Sequence, residues 1–126
     1  MEIHHIYVGD DGKSRMKMID VPMERLPDNR GALSQLMKGS GVYLRTMPSD
    51  MFSDWHTAPR KQIVCTIAGE GELETGDGQV MHIQPGTIEL LEDIHGRGHI
   101  TRGRGSIERV CLFLPLDDET VAWLTS

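Results

Sequence analysis

The chain has 126 residues, of which 25% are charged and 38% hydrophobic, and a formal net charge of −6. That length predicts one domain, residues 1–126, able to bury roughly two-thirds of its unfolded surface without a disulfide or metal staple. The acidic balance repels phosphate backbones and argues against nucleic acid. No apolar run approaches the ~18 residues that span a bilayer.

Met1-Glu2-Ile3-His4-His5 lacks the basic flank and apolar core of a signal peptide, so a cytoplasmic protein is expected. Cys65 and Cys111 sit in apolar strand-like runs with no Cys-x-x-Cys spacing and read as buried thiols.

Ile3 to Val8 reads as a strand closed by the turn Asp10-Asp11-Gly12, and Met16 to Val21 as a second. Residues 22–41 form the least regular stretch, with room for a turn or two of helix over Ala32 to Lys38. From Val42 the pattern sharpens. Strands are expected over Val42 to Met47, Met51 to His56 and Ile63 to Ala68, the last rich in β-branched residues. Glu72 to Thr75 and Gln79 to Ile83 form a hairpin across Gly76-Asp77-Gly78, whose Asp-Gly step suits a type I′ turn.

Pro85-Gly86 turns the chain into a strand over Thr87 to Leu91, followed by a loop over Glu92 to Gly98. His99 to Arg102 is a short strand, Gly103-Arg104-Gly105 a turn, and Arg109 to Leu114 a final apolar strand. Asp117 or Asp118 is placed to cap a short C-terminal helix, with a tail packed on the outside as the alternative. Short strands set off by glycine turns predict an all-β sandwich or barrel.

The run Asp54-Trp55-His56-Thr57-Ala58-Pro59-Arg60-Lys61-Gln62, leading into Ile63 to Gly69, resembles the first motif of the cupin superfamily. Pro85-Gly86 through His99 resembles the second. The pattern WHxAPRxQ, then PG, then EDxxGxGH, resembles a subgroup of small single-domain bacterial cupins with no assigned reaction. The resemblance implies a single jelly-roll-like antiparallel β-barrel, with residues 1–41 as an N-terminal strand and irregular segment, 42–115 as the barrel core and 116–126 as a tail. It also implies a homodimer, which the apolar strand Ile3 to Val8 would serve if left as a bare edge.

Metal-binding cupins supply three histidines and a carboxylate. Here His56, Gln62 and His99 occupy three of the four positions, and Ala58 stands where the second histidine belongs. His95 rivals His99 for the last position; His99 is preferred because it opens a strand. A divalent ion (Zn, Fe, Ni or Mn) on His56, Gln62 and His99 is one expectation, weakened by the missing charge and the missing imidazole.

The other expectation is a small polar or anionic ligand in the barrel mouth. His56 and His99 would act as acid and base, Arg60 and Gln62 would orient the ligand, and Trp55 and Glu92 would complete the wall. A binding or sensing module without turnover, and a structural oligomer with a filled barrel, remain open beside it.

Overall fold

The computed structural model describes all 126 residues. Strands β1 (Glu2–Val8), β2 (Ser14–Asp20), β3 (Glu24–Arg25), β4 (Ala32–Leu33), β5 (Tyr43–Met47) and β6 (Phe52–His56) make up the first half of the chain. Strands β7 (Gln62–Ala68), β8 (Glu70–Glu74), β9 (Val80–Ile83), β10 (Ile88–Leu91), β11 (His99–Arg104) and β12 (Arg109–Pro115) follow. One helix, α1 (Asp118–Leu124), ends it. The protein is all-β, a jelly-roll-like barrel.

A six-stranded sheet in the order β2-β1-β10-β7-β12-β5 faces a four-stranded sheet in the order β6-β11-β8-β9. β3 and β4 form a separate two-stranded ribbon. Alternation along each strand assigns the two faces. Inward Ile6, Val64, Leu91 and Cys111 meet Leu73, Met81 and Ile83 of the opposite sheet. Outward Ile3, Ile63 and Leu90 pack with Val121 and Leu124 of α1. The helix starts as its sequence predicts: Asp117 caps it, its side chain accepting from the Thr120 N–H at 2.8 Å.

Four expectations are corrected. The barrel is not wholly antiparallel, since β1 runs parallel to β10 with Ile6 beside Leu91. Their separation along the chain gives that pair the long connection that parallel strands require. β1 is not an edge either, because β2 covers its other side; the bare edges of the large sheet are β2 and β5.

No helix forms over Ala32 to Lys38, where Ala32 and Leu33 pair instead with Arg25 and Glu24. The β8–β9 turn is not type I′, which would need positive φ at both central residues. A Gly78 N–H to Thr75 carbonyl bond closes a turn, Gly78 follows at φ 88°, and Thr75 N–H then bonds the Gln79 carbonyl. That is the longer turn-plus-glycine-bulge connection. No helix of the chain is long and apolar enough to cross a membrane.

Candidate functional site

A cavity of about 270 Å³ lies between the two sheets, with His56, Gln62, Glu89, His99 and Arg109 in its wall. The interior is therefore not plugged, as a filled structural barrel would require. His56 ends β6, His99 opens β11, and the two are direct cross-strand partners. Their ring centres are 4.5 Å apart.

An irregularity in this ladder sets the local geometry. The pairing steps from His99–His56 to Thr101–Ser53, so β6 carries one extra residue. A bulge of this kind breaks the alternation of sides. Ser53 and His56, three apart, consequently both line the cavity. Gly98 makes the approach possible: at φ 81°, a Cβ there would lie 1.9 Å from the His56 carbonyl oxygen.

Each imidazole is anchored through Nδ1. His56 Nδ1–H donates to the Asp54 carbonyl at 2.7 Å, with Ser53 Oγ at 3.3 Å. His99 Nδ1–H donates to the Asp93 carboxylate at 2.5 Å. Asp93 is wholly buried, and its own carbonyl accepts from the Ala58 N–H, tying the second motif to the first. A carbonyl or carboxylate partner fixes the protonated nitrogen as Nδ1, so Nε2 carries the free lone pair on both rings. Neither Nε2 has a protein partner, and neither is sealed from the cavity.

Deeper in, Glu89 on β10 faces Val64 of β7, and Arg109 on β12 faces Met47 of β5. Arg109 Nη2 lies 3.6 Å from Glu89 Oε1, and its Nε donates to Thr66 Oγ1 at 3.1 Å. Burial pushes the Glu89 carboxyl up to about 7, against the pull of Arg109 and His99.

The expected site residues divide. His56, Gln62 and His99 come together in the wall, and His95 is absent from it. Arg60 reaches the site indirectly: Nη1 donates to Gln62 Oε1 at 3.0 Å, and its guanidinium sits 5.1 Å from the Tyr43 ring centre. Trp55, on the bulged stretch, lies outside the wall and stacks under Arg97 at 3.9 Å. Glu92 turns outward, where it pairs with buried His5 at 2.8 Å. Trp55 and Glu92 are thus corrected as wall residues, since strand and loop geometry send both to the other face.

Asp93, Glu89 and Arg109 are the polar groups that sequence reasoning did not assign to the site.

The donors do not fit a resident divalent ion. No three His, Cys, Asp or Glu side chains converge. Ala58 contributes a methyl group to the inner core, and Gln62 Oε1 already accepts from Arg60. Two imidazoles alone make a weak and unselective set.

No protein-family model and no curated protein matches the chain. Among solved structures it is similar to protein NMB1881 from Neisseria meningitidis, with 16% identity over 64% of this chain and 79% of that one, at a TM-score of 0.48. It is also similar to an ethanolamine utilization protein Q from Salmonella typhimurium, with 15% identity over 93% and 98% of the two chains, at a TM-score of 0.44. At that distance neither likeness bears on function.

Proposed function

We propose that this cytoplasmic cupin-type protein binds a small polar or anionic molecule in the barrel mouth and exchanges protons with it through Nε2 of His56 and His99. One observation carries the reading: two neighbouring imidazoles, each fixed through Nδ1, present their free nitrogens to a polar cavity. An imidazole held in this way can take a proton from a bound molecule at Nε2 and then return it. No resident metal enters the proposal, because the donors fall short of one.

A homodimer belongs to the same reading. β5 is a bare edge whose Tyr43 and Leu44 are 56% and 79% exposed, which supports pairing there rather than along β1.

The test is calorimetric titration of the full chain with short hydroxy acids, amino acids and polyols. Saturable binding to at least one is expected, weakened about tenfold or more in His56→Ala and in His99→Ala by loss of a hydrogen bond inside the cavity. Binding indifferent to both substitutions contradicts the proposal.

A further inference from the structure

The cavity wall holds a cation whose hydrogen bonds are mostly unmade. Arg109 faces inward and is 4% exposed. A guanidinium carries five N–H donors, and burying them without acceptors is costly. Here Nε alone has a good partner, Thr66 Oγ1. Nη1 reaches only the Met47 thioether at 4.0 Å, and Nη2 stays 3.6 Å from Glu89 Oε1, beyond hydrogen-bond range.

Glu89, 3% exposed, leaves its Oε2 without a partner as well. An ion pair that served only to hold the barrel would gain most by closing the two-pronged contact between guanidinium and carboxylate. This pair stands open beside a cavity. The wall's other cation, Arg45, is exposed and lies over the Phe113 ring at 5.3 Å, and Arg60, outside the wall, is engaged by Gln62 and Tyr43.

We infer that the ligand carries a carboxylate and that Arg109 receives it, taking the fork that Glu89 leaves unfilled. The inference rests on the reading of the cavity as a binding site and names its ligand class. The cavity's 270 Å³ suits a small molecule, so the ligand is a short carboxylic acid. A hydroxyl or carbonyl on its other end would meet the histidines.

Glu89 competes with the incoming carboxylate for the same guanidinium. The polar groups around Glu89 are Arg109 from β12, His99 and Asp93 from β11 and its preceding loop, Gln62 and Thr66 from β7, and His4 beside it on β1.

The test uses the full chain and two- to five-carbon hydroxy and keto acids, lactate and pyruvate among them, each beside its uncharged amide. At least one acid is expected to bind saturably and its amide about tenfold or more weaker, because the charge-assisted fork is lost. Arg109→Met should abolish acid binding, and Glu89→Gln should tighten it by removing the competitor.

If acid and amide bind equally and binding still depends on His56 and His99, the carboxylate inference fails while the cavity reading stands. If no acid and no neutral compound binds, both fail. Should Arg109→Met not fold, the acid–amide comparison on the unaltered chain decides.

Discussion

An outer groove of about 540 Å³ and the inner cavity of about 270 Å³ lie on opposite faces of the same strand, β7. Ile63 and Cys65 point into the groove, together with Ile3, Val21 and Leu114. Gln62 and Val64, each one residue away, point into the cavity. The larger hollow is almost wholly apolar and brings no ionisable pair together. The smaller one gathers two histidines, a glutamate and two arginines. Volume therefore does not locate chemistry here, but convergence of polar groups does. Alternation with a period of two makes both hollows from one stretch of sequence.

If the two faces are independent, substitutions can separate stability from binding. Leu90→Ala, wholly buried on the outer face, should cost about 3 kcal/mol in urea unfolding and leave ligand affinity unchanged. A loss of affinity in the folded variant would couple the faces and break the comparison.

Asp93→Ala acts on the inner side. It removes the acceptor of the His99 Nδ1–H bond and should cost about 2 kcal/mol. Unlike Leu90→Ala it should also abolish binding, because the His99 ring is then free to present the wrong nitrogen.

Glu89 supplies a pH signature for the cavity. Its folded pKa is raised from the usual 4.5 to about 7, so between those values the folded state holds the proton that the unfolded state has lost. The stabilisation is fully present below about 4.5 and is lost as pH rises through 7. Unfolding titrations should show stability falling across that window, with a flatter profile in Glu89→Gln. An equal slope in both would place the proton elsewhere.

The smallest effect is expected at the β5 edge. Leu44→Lys should change stability by less than about 0.5 kcal/mol and leave binding intact, while light scattering should show the proposed dimer in the unaltered chain and a monomer of 14.1 kDa in the variant.

Local pattern carried much of this into the sequence. The β-branched run at β7, the Gly76-Asp77-Gly78 break and the Asp117 cap each act within a few residues, and each marks its element. His56 and His99 were legible because one ends a strand before a turn and the other opens a strand after a loop. What stayed hidden depends on distant pairing. The parallel contact of β1 with β10 joins residues more than eighty apart, and no local preference encodes it.

The extra residue in β6 puts Ser53 and His56 on one side, which simple alternation gets wrong. Glu92 and Asp93 are adjacent and turn opposite ways, but their order left open which one met His99 and which His5. Arg109 became a cavity residue only through its register against Met47.

The central claim is that His56 and His99 each hold the proton on Nδ1 and offer Nε2 to a ligand. Nitrogen-15 spectra of the imidazole rings, recorded without ligand and then with a bound short hydroxy acid, test it directly. Both rings should be Nδ1–H tautomers in the neutral form, and both Nε2 signals should move as the acid saturates. An Nε2–H tautomer on either ring, or Nε2 signals that stay still while the acid binds, would contradict the account.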